Sequence, residues 1–138
     1  MKKFLFLVAM LAPTMAQAEW VKVTSASAGE VTVYVDPATI KRTGNVVEFS
    51  TLFDYATART LSDVPFSSAT MQDAIDCVGK QSRTLAVSSH SEPMAGGHVV
   101  STSTGYAPWT PIDPKTIVSA TFKHVCKKDP LTGRKSRL

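Results

Sequence analysis

Residues 31–55 have the sequence VTVYVDPATIKRTGNVVEFSTLFDY. They contain two segments, 31–35 and 46–55, in which apolar and polar side chains alternate. A repeat of two residues is typical of a β-strand that has one face against the core. In the second segment the odd positions from 47 to 55 share one face. Gly44 permits a positive φ angle, so a turn is expected between the segments. At Asp36 and Pro37 we expect a single helical turn, because Asp can cap it and Pro fits its first position.

The chain on either side of this hairpin adds further strands. The patterns over residues 19–24, 81–89 and 98–104 predict strands. Residues 56–65 are polar and end in Pro65, so we expect a loop or an irregular edge there. Residues 66–78 fit either helical or strand spacing, and the sequence leaves both open.

Residues 117–126 are expected to form a helix. Their many β-branched residues also suit a strand, but Asp113 followed by Pro114 has the form of a helix N-cap and first helical residue. The expected inner face carries Ile117, Ala120, Thr121, His124 and Val125. The chain is therefore predicted to be an α+β domain with a five- to six-stranded antiparallel sheet and a C-terminal helix.

The first 18 residues, 1–18, have the form of a Sec signal peptide. A short basic start precedes an apolar run over residues 4–11, and Ala16 and Ala18 are the small residues that a signal peptidase reads. Cleavage is expected after Ala18. A membrane anchor is the disfavoured alternative, because a spanning helix needs about 20 apolar residues. We therefore expect an exported protein, in the periplasm or on the cell surface, without a transmembrane segment or lipid anchor.

The two cysteines, Cys77 and Cys126, are expected to form a disulfide because the exported compartment is oxidising. The alternatives are a metal site or a reactive thiol. A metal site would need more ligands at regular spacing, and the sequence has neither CxxC nor HxxxH. The bridge would hold the C-terminal helix against the sheet.

Charge is unevenly distributed along the 138 residues, which carry a formal net charge of +4. Residues 19–126 contain eight Lys and Arg against ten Asp and Glu, whereas residues 127–138 contain five against one. We expect a slightly acidic domain over 19–126 and a basic, disordered tail over 127–138. Although basic tails can bind nucleic acid, export makes that partner unexpected.

No sequence motif indicates catalysis, cofactor binding or metal binding. The patterns of serine hydrolases, zinc proteases, phosphate-binding loops and dinucleotide-binding folds are absent from the sequence. The chain is also too short for a multidomain enzyme. We therefore expect a non-enzymatic protein with no catalytic, cofactor-binding or metal-binding residues.

The remaining polar residues fit ordinary structural roles better than roles in catalysis or metal ligation. His90 lies among serines, but neighbours in a strand face opposite ways, so an exposed polar loop is the favoured interpretation. His90, His98 and His124 are scattered, which favours ordinary hydrogen bonding over ligation of a metal or haem iron. Asp73 and Asp76 are typical of a solvated surface.

Two aromatic residues, Tyr106 and Trp109, form a candidate binding edge. They lie in a segment punctuated by glycine and proline, and they could instead cover the end of the hydrophobic core. The sequence favours this second interpretation, and Trp20 is also interpreted as a core residue.

Several short motifs occur in an order that resembles a known family. They are Trp20-Val21, Val33-Tyr34-Val35-Asp36-Pro37, Ile40-Lys41-Arg42-Thr43-Gly44-Asn45, Leu52-Phe53-Asp54-Tyr55, Asp76-Cys77, Arg83, Trp109 and Cys126. Over residues 19–126 this order resembles the surface-adhesin protein E family of exported bacterial proteins. The resemblance implies a six-stranded antiparallel sheet with a C-terminal helix tethered by a disulfide. It also implies binding to host matrix and serum proteins such as vitronectin, laminin and plasminogen, with haemin as a further family ligand.

The sequence therefore leaves two functions open. The first is a binding protein of the cell envelope that acts as an adhesin for host matrix or serum proteins. The alternative is a periplasmic protein that binds haem or a lipid in an apolar pocket between helix and sheet.

Overall fold

A computed structural model describes residues 18–127 of the chain. Most of the expected signal peptide and almost all of the expected basic tail lie outside the described residues. Within residues 18–127 the strands are β1 (Val21–Ala26), β2 (Val31–Thr43), β3 (Val46–Leu61), β4 (Val64–Asp76), β5 (Gln81–His90), β6 (Val99–Thr104) and β7 (Thr110–Pro111), and the α-helix is α1 (Ile117–Val125). A short 3-10 helix, Ser27–Gly29, connects β1 to β2. In this part of the chain no helix has the length and apolar character needed to cross a membrane.

The strands form a single sheet in the order β1-β2-β3-β4-β5-β6, and each strand is antiparallel to the next. The two-residue strand β7 also pairs with β5, next to β6. Strands that follow one another in sequence are thus neighbours in space, as short hairpin connections require. The predicted α+β architecture is confirmed.

The β2–β3 hairpin follows the predicted alternation. Val35 lies opposite Thr51 in the ladder, and the side chains of Val47 and Phe49 are fully buried. Gly44 adopts a φ of 61° in the two-residue turn. A left-handed first turn residue matches the twist of the flanking strands, which explains why glycine suits this position.

The helical turn expected at Asp36 and Pro37 is wrong. These residues remain in β2, where the ladder with β3 is interrupted between Asp36 and Lys41. The Asp36 carboxylate accepts the N–H of Ala38 (3.0 Å), and the hydroxyl of Thr39 accepts the N–H of Ser50 (2.8 Å). Side-chain hydrogen bonds thus replace some of the missing backbone hydrogen bonds of the ladder. Because β2 pairs with β3 both before and after this segment, the segment stays extended.

Of the loop or irregular edge expected over residues 56–65, the loop is wrong, because β3 and β4 continue through the segment as a long hairpin. An irregularity is present, since the register of the two strands shifts between Asp54 and Arg59. Leu61 lies opposite Val64, and Ser62 and Asp63 form the turn with φ angles of 49° and 63°. Pro65 is tolerated because it lies beyond the part of β4 that pairs with β5, so its missing N–H breaks no bond on that side. Residues 66–78, left open by the sequence, are mostly the central strand β4.

The core lies between one face of the sheet and α1. It contains Val35, Val47, Phe49, Ile75, Cys77, Val125 and Cys126, with Val23, Ile112 and Phe122 packed against it. The predicted disulfide joins Cys77, just after β4, to Cys126, just after α1, with 5.7 Å between the Cα atoms. Both cysteines are buried, so the bridge holds the helix on the sheet.

The helix begins later than the Asp113–Pro114 pair predicts. Thr116 is the N-cap residue, and Asp113 instead closes the preceding turn, where its carboxylate accepts the N–H of Lys115 (3.0 Å). The buried positions of α1 are Ser119, Thr121 and Val125. Of the expected inner face, Thr121 and Val125 are buried, whereas Ile117, Ala120 and His124 are half-buried. Phe122 packs on the core in their place.

Candidate functional site

The predicted binding edge at Tyr106 and Trp109 lies against the outer side of β5. β6 and β7 pair with opposite ends of that strand, and residues 105–109 cross between them. The N–H of Gly105 donates to the carbonyl of Leu85 (3.3 Å), and the N–H of Ala107 donates to the carbonyl of Thr84 (3.2 Å). The crossing segment is therefore held on β5 by its backbone, which fixes where its aromatic side chains lie.

Arg83 of β5 brings the two rings together. Its guanidinium carbon lies over the Tyr106 ring, 4.8 Å from the ring centre, and over the Trp109 ring at 5.2 Å. Both distances are within the range of cation–π attraction. Arg83, Tyr106 and Trp109 are called the arginine–aromatic cluster below.

The cluster combines exposure with an unused hydrogen-bond donor. The Tyr106 side chain is 76% exposed, Trp109 is half-buried, and the Nε atom of Arg83 is buried. Among residues 18–127 this Nε has no hydrogen-bond acceptor. Buried donors are nearly always paired in native proteins, so this Nε is an exception within the described part of the chain.

The exposure of Tyr106 contradicts the interpretation that it covers the end of the core. Trp20 is half-buried and lies outside the set of buried core residues. No local sequence pattern indicates that Arg83 joins the two aromatic residues, because the three positions meet through the pairing of the crossing segment with β5. Its place among the family-like motifs was the one available signal.

A small cavity lies between α1 and the sheet, with Asp73 on its wall. The cavity has a volume of about 80 Å³ and is lined by apolar residues, among them Phe49 and Ile117, and by polar residues that include Arg83 as well as Asp73. The hydroxyls of Thr51 and Thr84 donate to the two carboxylate oxygens of Asp73, at 2.7 and 2.9 Å. Burial raises the pKa of Asp73, and these two hydrogen bonds partly oppose that effect.

The second acidic residue of the pair, Asp76, has a separate structural role. Its carboxylate accepts the N–H groups of Val78 (3.0 Å) and Gly79 (2.8 Å) in the turn that follows β4. Asp73 faces the cavity instead, so the two carboxylates do not form one site. The expectation of a solvated acidic pair is therefore wrong for Asp73.

The histidines do not come together. His90 is the last residue of β5 rather than part of an exposed loop, because the ladder with β4 extends that far, and its Nε2 lies 2.9 Å from the Thr70 hydroxyl. Burial lowers the pKa of His90, and burial together with the charge of Lys127 lowers that of His124. Over the described range, no group of three or more His, Cys, Asp or Glu residues could hold a metal ion.

Comparison with known proteins places this fold in a family. The family model for surface-adhesin protein E matches residues 20–127. The chain belongs to the surface-adhesin protein E family. No curated protein matches the chain in sequence.

Solved structures share the family's fold with this chain. Haemophilus influenzae protein E in crystal form II matches with a TM-score of 0.64 at 12% identity, covering 83% of this chain and 91% of that one. A structure of protein E from non-typeable Haemophilus influenzae matches with a TM-score of 0.59 at 12% identity, covering 80% and 77%. At this identity the likeness concerns the fold, and the family model and the structures together indicate an adhesin-like surface protein.

Proposed function

We propose that this chain is an exported protein of the bacterial surface that attaches to host matrix or serum proteins through the arginine–aromatic cluster. The observation that carries the proposal is the composition and exposure of that cluster. Tyr, Trp and Arg are the residue types that contribute most binding energy in protein interfaces, and here all three meet on one side of β5. Membership of the adhesin family supports the same kind of partner.

Export by a cleaved signal peptide is part of this proposal. The basic and apolar pattern of residues 1–18 supports it, as does a disulfide between Cys77 and Cys126. Disulfides persist in oxidising compartments outside the cytosol. The family and the fold also point to a binding protein rather than an enzyme.

The haem- or lipid-binding alternative stays a prediction with less support. It needs an apolar pocket between helix and sheet, and the cavity there is about 80 Å³. Sites for small molecules and cofactors usually measure roughly 300–1,000 Å³. A cavity of this size would have to open before it could accept a macrocycle or an acyl chain.

The proposal is tested by measuring binding of the purified exported protein to immobilised vitronectin and laminin at physiological salt. Saturable binding to at least one of them is expected. The double substitution Tyr106→Ala and Trp109→Ala should weaken that binding at least about tenfold, because truncating a hot-spot residue typically has effects of this size.

Leu61→Ala is the matched control, because Leu61 is an exposed apolar residue in the β3–β4 hairpin and lies outside the cluster. Its binding should equal that of the native protein. Absence of saturable binding by the native protein would overturn the adhesin function. An equal loss in the control would overturn the assignment to the cluster.

A further inference from the structure

One nitrogen of the Arg83 guanidinium has no hydrogen-bond partner within the described residues. This atom is Nε, which is buried. Arg83 as a whole is only half-buried. Since the buried Nε is closed to an acceptor from outside, a partner can reach only the terminal Nη groups of the guanidinium.

The two rings leave only part of the guanidinium available. The guanidinium carbon lies over both rings, 4.8 Å from the centre of Tyr106 and 5.2 Å from that of Trp109. The N–H groups of a guanidinium lie in its plane, and the two terminal Nη atoms extend beyond the buried Nε. A planar carboxylate matches these two atoms, since it can accept two parallel N–H bonds.

The domain as a whole carries almost no net charge, so an acidic partner would be attracted by Arg83 itself rather than by the whole surface. Residues 18–127 contain nine Lys and Arg and ten Asp and Glu, so the described domain has no general excess of positive charge. Arg83 is suited to this attraction because the rings hold its head group in place.

We propose that the arginine–aromatic cluster binds a carboxylate side chain of an acidic segment in the partner protein, with Arg83 as the receptor for the carboxylate. This inference rests on the proposed function, and it names the chemistry of the partner. Tyr106 supplies exposed ring surface to the neighbouring residues of that segment, while Arg83 selects the charge.

The first measurement uses a short peptide of four glutamates, capped at both ends, and the same peptide with four glutamines. Each is titrated into the full exported protein carrying Trp20→Phe, so that Trp109 is the remaining tryptophan and its fluorescence reports binding. The glutamate peptide should bind saturably, and the glutamine peptide at least about tenfold more weakly, because a charged hydrogen bond contributes about that factor. Equal binding of both peptides would overturn the proposal in favour of contact with the rings alone.

The second measurement compares variants. Arg83→Met should weaken binding of the glutamate peptide at least about tenfold. Arg83→Lys should fall between Arg83→Met and the native protein, because lysine keeps the charge but cannot form the paired bonds. If Arg83→Met does not fold, the graded loss in Arg83→Lys still tests the idea, and unchanged binding in Arg83→Lys would then contradict it.

Arg59→Met is the matched control. Arg59 is also stacked on a ring, with its guanidinium carbon 4.4 Å from the centre of Tyr55, and it lies in β3 rather than β5. This variant loses the same charge and the same kind of ring contact, so it should bind the glutamate peptide as the native protein does. An equal loss would mean that net charge, not the cluster, attracts the peptide.

The same variants separate this inference from the proposed function. If vitronectin or laminin binds the native protein and Arg83→Met equally well, the adhesin function stands and the carboxylate receptor is wrong. If neither host protein binds while the glutamate peptide binds through Arg83, the carboxylate receptor is supported and the adhesin function is wrong.

Discussion

Asp73 is an acidic side chain placed where the fold covers it with a helix. It lies on β4 beside the cavity under α1, and two threonine hydroxyls donate to its carboxylate. These bonds compensate only part of the loss of water, because burial still raises the pKa of Asp73. Folding therefore favours the protonated form of this residue.

Asp73→Asn tests that balance. Because the pKa of Asp73 is higher in the folded than in the unfolded state, the native protein loses stability as pH rises from about 3.9 through the folded pKa. The asparagine variant lacks this loss and can keep both hydroxyl contacts. Its free energy of unfolding, relative to the native protein, should therefore be higher near pH 7 than near pH 4, as measured by urea unfolding at each pH.

What decides the test is how the difference in unfolding free energy between Asp73→Asn and the native protein changes with pH, not its sign at any one pH. A difference that stays constant from pH 4 to pH 7 would show that burial has no effect on the titration of Asp73 and would contradict the prediction.

At the scale of elements, the strands with strong alternation were predictable and their irregularities were not. The β2–β3 hairpin was evident because its apolar positions alternate and Gly44 marks the turn. The turn at Ser62 and Asp63 was missed because neither residue is glycine, although both adopt positive φ angles. The position of Arg83 has a different cause, because its contact with Tyr106 depends on strand pairing that no local pattern records.

The disulfide connects the two elements that enclose the core. Replacing both cysteines with serine should lower the free energy of unfolding by about 2–5 kcal/mol, the usual range for a native bridge in a small secreted domain. The double variant avoids a free thiol, and both sites are buried, so part of the loss will come from the buried hydroxyls.

Thermal melting with and without a reductant checks this prediction. The native protein should melt at a lower temperature once Cys77 and Cys126 are reduced, whereas the double serine variant should not respond. A native melt that is unchanged after complete reduction would contradict a stabilising role for the bridge.

At the scale of the whole molecule, the two faces of the sheet have different partners. One face is covered by α1 and holds the core. On the other face Ser50 donates to Gln72 (2.9 Å), and Thr70 contacts His90 (2.9 Å). This face is closed in part, because Leu52 is fully buried there and the Ser68 hydroxyl donates to the carbonyl of Glu92 (2.7 Å) in the segment after β5. A protein partner therefore gains most at the side of β5, where aromatic surface is exposed.

An adhesin must present that side of the sheet to the outside of the cell, which makes location the last prediction. Six lysines among residues 18–127 are exposed, namely Lys22, Lys41, Lys80, Lys115, Lys123 and Lys127. A membrane-impermeant amine-reactive biotin reagent should therefore label the protein on intact producing cells. A known periplasmic protein in the same cells should stay unlabelled.

Lysine labelling is preferable to protease digestion here because a folded, disulfide-linked domain resists cleavage even where it is exposed. The comparison is repeated after the outer membrane has been opened, when both proteins should be labelled. Labelling of this protein only after opening would place it in the periplasm, where it could not meet a host protein. The adhesin function would then be wrong, and an acidic partner of Arg83 would have to be sought within the cell envelope.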